Sequence, residues 1–384
     1  MRRAGFVCCL FIFAMQVAGT LVIAVEPDKQ ELYRNRMDIL RYKDKTGKTR
    51  EVQTLQDWLD YRPQLMANFE RIAGEFPWKK PRLKLEMKVL DEVPQPGYVQ
   101  RKISFVSEAN DLCFAWLLIP DNISSGQKLP AMVCAHPTHR QGKDVPAGLA
   151  NRINRNYAQE LSRRGYVTIS PDYWTFGDHK NDPYKLGYTS VTMKGIWDHS
   201  RCVDLLCSLP FVDSERIGII GHSLGGHNAI FAALFDTRFK AVVTSCGFTS
   251  FHKYYNGKLA GWSQDRYMPL IRTAYNENPE RVPSDFNQLL ALLAPRPVFV
   301  NAPLRDGNFD FSGVMDCIQS AEKIYKLYER TDNINYPASQ DADGKTERYG
   351  GIFLRHPDSE HDFPPEERQA AYRFLDQFLI APTK

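Results

Sequence analysis

The stretch Arg216-Ile217-Gly218-Ile219-Ile220-Gly221-His222-Ser223-Leu224-Gly225-Gly226 decides how this chain is read. Its first half is an apolar run of the length of a buried strand. The segment Asn228–Phe235 that follows is apolar enough to predict a helix. A Gly-x-Ser-x-Gly string alone arises by chance in roughly one chain in ten of this length. Set between a strand and a helix, it has the context of a nucleophile elbow. The glycines fit a tight turn in which neighbouring backbone comes close to Ser223. Such a turn lifts the Ser223 hydroxyl out of the sheet, at the positive end of the following helix.

Outward from this point, short apolar runs alternate with long helical patterns. The runs are Ala131–Ala135, Tyr166–Ser170, Ile217–Gly221, Ala241–Cys246, Val298–Ala302 and Ile352–Arg355. Helices are expected near 150–164, 193–209, 224–235, 312–328 and 365–380. Continuous apolar runs separated by helices predict strands buried on both faces of a parallel sheet. Upstream, Leu55 to Phe76 has helical spacing, with Pro77 expected to end the helix. Leu83 to Val89 alternates like a half-buried strand, and Pro94 to Gly97 reads as a turn. Val99–Val106 and Cys113–Ile119 read as two antiparallel strands. Residues 26–50 are polar and carry no clear pattern. Residues 248–295, between the sixth and seventh core strands, exceed a simple crossover and predict a helical, lid-like insertion.

A serine hydroxyl needs a base, and the base an orienting acid. His361, in Ser359-Glu360-His361-Asp362-Phe363-Pro364, follows the last strand, on a loop able to reach over the sheet edge. His356, at the strand end itself, is the rival. Asp306 follows Val298–Ala302 and is the expected acid, with Asp310 as runner-up. The oxyanion hole needs two backbone donors. One is expected at Leu224, directly after the nucleophile. The other is expected at Thr138 in His136-Pro137-Thr138-His139-Arg140, because Pro137 has no N–H. His136 and His139 lack a third clustered ligand, so neither a metal nor a cofactor is expected. Trp174, Trp262 and Tyr267 are candidate stacking surfaces for substrate.

The 384 residues are 24% charged and 43% hydrophobic, with a net charge of +4. That composition excludes a disordered chain. The 24 Gly and 24 Pro are scattered, which excludes a collagen-like repeat. The 8 Cys in a chain this long do not describe a disulfide miniprotein. A near-neutral balance gives no basic face for nucleic acid. Arg2 and Arg3 precede an apolar run from Gly5 to Ala24, as in a secretory signal, with cleavage expected after Ala24. The remaining 360 residues would carry 6 Cys and a net charge of +2, in a secreted or periplasmic protein without stable membrane insertion. Cys134 and Cys246 are expected to be buried thiols, and the cysteine spacings demand no disulfide. Asn122-Ile123-Ser124 is a glycosylation sequon.

The order Gly-His-Ser-Leu-Gly-Gly, Asp306, His361 on successive strands resembles the α/β-hydrolase superfamily. His136-Pro137-Thr138, Ala294-Pro295-Arg296-Pro297 and His361-Asp362-Phe363-Pro364 resemble its dienelactone-hydrolase-like and acetyl-xylan-esterase-like branch, over roughly 98–380. The resemblance implies an α/β-hydrolase fold: a mostly parallel doubly wound sheet with antiparallel N-terminal strands. Dienelactone hydrolases use a cysteine nucleophile; Ser223 in that place favours esters over lactones. The branch implies a carboxylic-ester hydrolase acting on acylated carbohydrate or similar small esters. The alternatives are a serine peptidase similar to the prolyl oligopeptidase catalytic domain, or a binding protein without catalysis. The expected organisation is a leader at 1–24, an N-terminal extension at 25–97 and a catalytic domain at 98–384. The candidate residues, Ser223 to His361, cannot be divided between domains.

Overall fold

The computed structural model describes residues 29–380, except 122, 333–335, 337 and 339–342. The expected leader and the sequon residue Asn122 lie outside the described residues. In chain order the elements are α1 (Lys29–Met37), β1 (Arg41–Lys43), β2 (Thr49–Glu51), α2 (Leu55–Ala73), β3 (Lys88–Gln95), β4 (Tyr98–Glu108), β5 (Asp111–Pro120) and β6 (Leu129–Ala135). Then come α3 (Tyr157–Arg163), β7 (Val167–Pro171), α4 (Val191–Ser208), β8 (Val212–His222), α5 (Leu224–Phe235) and β9 (Phe239–Ser245). Last are α6 (Leu270–Thr273), α7 (Phe286–Leu293), β10 (Val298–Asn301), α8 (Phe311–Asp332), β11 (Glu347–Tyr349), β12 (Ile352–Arg355) and α9 (Pro365–Leu379).

Ten strands form one sheet in the order β11-β12-β10-β9-β8-β6-β7-β5-β4-β3. From β12 to β7 all neighbours are parallel. β5, β4 and β3 continue antiparallel. β6, β8 and β9 carry almost no solvent-exposed residue along their apolar runs, as a sheet covered on both faces requires. On one face α4 packs against α5. On the other, α9 and α3 are joined through Glu160, which accepts from Arg368 and Tyr372. This is the expected α/β-hydrolase architecture, with α6 and α7 in the insertion between β9 and β10.

Two adjacent elements depart from expectation. The helix α2 starts where Thr54 and Asp57 cap each other reciprocally. It stops at Ala73, not at Pro77, because Gly74 takes φ +93 and turns the chain. A Cβ there would lie 2.0 Å from the Thr189 hydroxyl, so the close approach also requires glycine. The next strand is not Leu83–Val89. Leu83, Met87 and Val89 are exposed, and pairing with β4 runs from Lys88 to Gln95. The turn is confined to Pro96-Gly97, with Gly97 at φ +90. Pro94 belongs to the strand, which is tolerated because β3 is the sheet edge and needs no outward donor. The unpatterned 26–50 segment contains α1 and the β1–β2 hairpin; Tyr42 stacks on Tyr61 of α2 at 4.0 Å.

Candidate active site

The chain runs from β6 to β7 on one side, then crosses to β8 on the other. The reversal leaves a crevice beyond the C-terminal ends of β6 and β8, where open α/β sheets bind ligands. Thr138 follows β6 and Ser223 follows β8, so topology alone brings both to its rim.

Ser223 sits at φ +57, ψ −117, which no helix or strand residue adopts. For a non-glycine residue such a backbone costs about 1–3 kcal/mol and persists only where the surroundings enforce it. Here Ser223 N–H donates to Ser245 O (2.8 Å) at the end of β9, and its carbonyl accepts from His227 N–H (3.2 Å). The glycines are needed for space. A Cβ on Gly221 would lie 2.1 Å from Gly225 O, and one on Gly225 would lie 2.0 Å from Ala135 O. The elbow is thereby pressed against the end of β6.

His361 lies on the loop between β12 and α9. Its Nδ1 is 2.9 Å from Asp306 Oδ2 and 3.0 Å from Oδ1. The Asp306 carboxylate is buried and also accepts from the amides of Asn308 (2.8 Å) and Phe309 (3.2 Å). A carboxylate held this way keeps Nδ1 as the protonated nitrogen, which leaves the lone pair on Nε2. Nε2 has no partner among the described residues. Asp310 has another task. It precedes α8 and accepts from Gly313 N–H (3.1 Å) and the Ser312 hydroxyl, as a helix cap. His356 is bonded to Glu347 (2.8 Å) at the sheet edge.

Ser223 is the wall between two cavities. The larger, of about 490 Å³, is bounded by Pro137, Thr138, His139, Asn151, Arg152, Ile153, Arg155, His222, Ser223 and His361. The smaller, of about 200 Å³, is bounded by Thr138, Ser223, Leu224, His227, Tyr254, Trp262, Tyr267 and Phe309 among others. Thr138 lines both; Leu224 lines the second. Thr138 Oγ is 3.3 Å from the Tyr267 hydroxyl. Trp262 and Tyr267 thus stand beside Ser223. Trp174 lines neither cavity; it packs edge-on against Tyr184.

The supporting residues were not recognisable from the sequence. His136 is buried, donates from Nδ1 to Pro137 O (2.7 Å) and accepts at Nε2 from Tyr173 N–H (2.9 Å). Both nitrogens are spent on orienting the loop that carries Thr138, and burial holds its pKa down at about 4. The same loop is pinned by buried Lys143, which reaches Asp172 (2.8 Å) and Asp178 (2.7 Å). The His361 loop is pinned by Asp362, whose carboxylate accepts from Arg155 (2.5 Å) and Asn154 (2.7 Å). Asp362 O accepts from Asn301 Nδ2 (2.9 Å), and Arg155 also donates to His361 O (3.1 Å). Apart from His136 and Pro137, these partners lie 29 to 208 positions apart, so no local motif announces them.

Among the described residues two groups of side chains have the composition of a metal site. One is Cys246, Asp306 and His361, within the arrangement already described. The other is Asp111, His179 and Asp198, but the buried Lys194 ammonium lies 2.7 Å from Asp111 and also contacts Asp198. A cation from the chain itself already stands there. The six cysteines from Cys113 to Cys317 are free thiols, with Cys134 and Cys246 buried.

The prolyl oligopeptidase family (Peptidase_S9) profile matches residues 153–336, which include Ser223 and Asp306 but not His361. An uncharacterized protein of Pseudomonas aeruginosa is 34% identical over 145 residues, 38% of this chain and 36% of that protein. Carbohydrate esterase MZ0003, from an unknown prokaryotic organism, is 27% identical over 215 residues, 46% of this chain and 49% of its own length. The chain thus spans about a third to a half of these curated relatives. A glucuronoyl esterase of Teredinibacter turnerae superposes with a TM-score of 0.66 at 18% identity, covering 94% of this chain and 93% of that one. With the sheet order, the crossover and the serine elbow, these likenesses agree on one architecture: the chain has an α/β-hydrolase fold.

Proposed function

We propose that the protein is a serine hydrolase of carboxylic esters, with acylated carbohydrate as its substrate class. The observation that carries this reading is the convergence at one cavity of a strained, partly exposed Ser223 and a His361 whose Nδ1 is held by Asp306. In the proposed cycle Ser223 Oγ attacks the ester carbonyl while His361 Nε2 takes its proton. The amides of Leu224 and Thr138 stabilise the oxyanion. His361 then protonates the departing alcohol, and afterwards deprotonates the water that releases the acid. Asp306 stabilises the imidazolium formed at each half-reaction.

The carbohydrate preference is supported by the smaller cavity. It is walled by Tyr254, Trp262, Tyr267 and Phe309, with Gln264 and Asn308 as polar groups on its lining. Flat apolar rings with a few polar handles suit a sugar face and its hydroxyls. The carbohydrate esterase and the glucuronoyl esterase to which the chain is similar point the same way. The prolyl oligopeptidase match keeps a peptidase as the second reading.

A panel of acetylated xylan, aryl acetates and Xaa-Pro amides tests it. Ester turnover with covalent labelling of Ser223 by a fluorophosphonate probe is expected. Faster amide than ester cleavage, relative to uncatalysed rates, would establish the peptidase. Absence of both labelling and turnover would establish a binding protein. We further propose export, on residues 2–24 alone. N-terminal sequencing of protein from the extracellular or periplasmic fraction should begin at Val25. Among the described residues no helix is long and apolar enough to cross a membrane.

A further inference from the structure

The two cavities that meet at Ser223 differ in charge. Among the described residues the smaller has no charged lining residue, and the base that lines it, His227, is held down at about 3 by burial and stays neutral. The larger contains Arg152 and Arg155 beside His139 and His361, and among the described residues no carboxylate lines it. The two arginines are not equivalent. Arg155 is spent: its Nη1 pairs with Asp362 at 2.5 Å and also donates to Asn154 O, while Nη2 donates to His361 O. Arg152 is exposed and its guanidinium has no hydrogen-bond or ion-pair partner among the described residues. Its neighbourhood is cationic. Partial burial, then the charge of Arg152 and that of Arg140, hold the His139 imidazole below its ordinary range. An uncompensated guanidinium beside a nucleophile is a built preference for an anion, because its planar fork matches the two oxygens of a carboxylate.

The loop is also held where this needs it. Asn154 and Arg155, directly after Arg152 and Ile153, are tied to Asp362, the residue next to His361. Arg152 is therefore carried on the segment that braces the proposed base, at a fixed side of the cavity. Coulomb attraction at this exposed position remains open to screening by salt.

Resting on the ester-hydrolase reading, we propose that the preferred ester carries a free carboxylate on the part lodged in the larger cavity, and that Arg152 is the residue that selects it. A uronic acid in the carbohydrate, or a dicarboxylic half-ester, has this chemistry. The neutral aromatic cavity then receives the uncharged part of the substrate.

The test uses the full chain and two matched pairs. One pair places the carboxylate on the acyl side: mono-4-nitrophenyl glutarate against 4-nitrophenyl valerate. The other places it on the alcohol side: O-acetylated glucuronate against O-acetylated glucose. In at least one pair the carboxylate member should show a kcat/KM at least tenfold higher, falling as sodium chloride is raised from 0.05 to 0.5 M. Arg152→Gln should reduce that ratio at least tenfold, through KM, and Arg152→Lys should restore part of it. Ratios near one in both pairs, or a ratio that survives Arg152→Gln, would overturn the proposal while leaving the hydrolase reading intact. Failure of the parent protein to hydrolyse any of the four esters would overturn both.

Discussion

On one side of Ser223 lies a cavity of about 490 Å³ bounded by polar loop residues, with an uncompensated arginine. On the other lies one of about 200 Å³ walled by Tyr254, Trp262, Tyr267 and Phe309. The first is built from the loops after β6 and β12, which charged and hydrogen-bonded contacts hold down. The second is built from the insertion between β9 and β10, held by ring packing: Trp262 lies 4.7 Å from His227 and 5.4 Å from Phe286. The proposed nucleophile thus faces two environments that differ in charge and in aromatic lining. The difference suggests that the two ends of a substrate are distinguished by different physics, charge on one side and apolar stacking on the other.

The comparison depends first on the shared wall. Ser223→Ala should reduce ester turnover by about 10⁴- to 10⁶-fold for either kind of substrate. Substantial residual turnover of one kind would mean that the two cavities do not serve one centre. Next is the proposed orienting acid. Asp306→Asn should lower kcat about 10⁴-fold, as removal of such an acid does elsewhere. Asp310→Asn should leave kcat within a few-fold, with any cost in thermal stability about 1 kcal/mol or less, as expected for a cap. The reverse ranking in kcat would exchange the two aspartates.

The supporting histidines give a prediction in pH. His136 braces the polar loop and His227 lines the aromatic cavity; burial holds them at about 4 and about 3. Below pH 6.5 the unfolded chain binds these protons and the folded chain does not. Stability is complete above pH 6.5 and falls as the pH drops toward those values. At pH 5 each histidine should cost about 2 kcal/mol. Urea midpoints measured from pH 7.5 to 5 for His136→Gln and His227→Gln should show a shallower decline than the parent. An unchanged slope in both would remove the buried neutral histidines from the account. The smallest effect is expected at Tyr267→Phe, which deletes a hydroxyl 3.3 Å from Thr138 Oγ. A change in KM of about threefold, without one in kcat, is expected for a single net hydrogen bond.

Much of this was legible in the chain itself. The apolar runs that became β6, β8, β9, β10 and β12 are buried on both faces, and continuous apolarity is the signature of that environment. The elbow was legible because its constraint is local. Gly221 and Gly225 are glycine for want of room, and Ser223 stands between a strand and a helix. The end of α2 was misread because Gly74, not Pro77, turns the chain, and the strand after it was misread because of exposure. The alternation at Leu83–Val89 lies on solvent-facing chain, and Pro94 is tolerated because β3 has no outer neighbour. Asp310 resembles Asp306 in sequence and differs only in that it caps α8.

By itself, then, the sequence determined the hydrolase class of fold and the order serine, aspartate, histidine, because strand burial and a crowded turn write themselves into neighbouring residues. The tertiary structure decided the rest: which aspartate meets His361, how Asp362 and Lys143 hold the loops, and the contrast between the two cavities. Those outcomes depend on contacts between residues such as Arg155 and Asp362, or Thr138 and Tyr267, which are separated by more than a hundred positions in the chain. Only closure of the sheet and docking of its loops brings their charges and rings within reach.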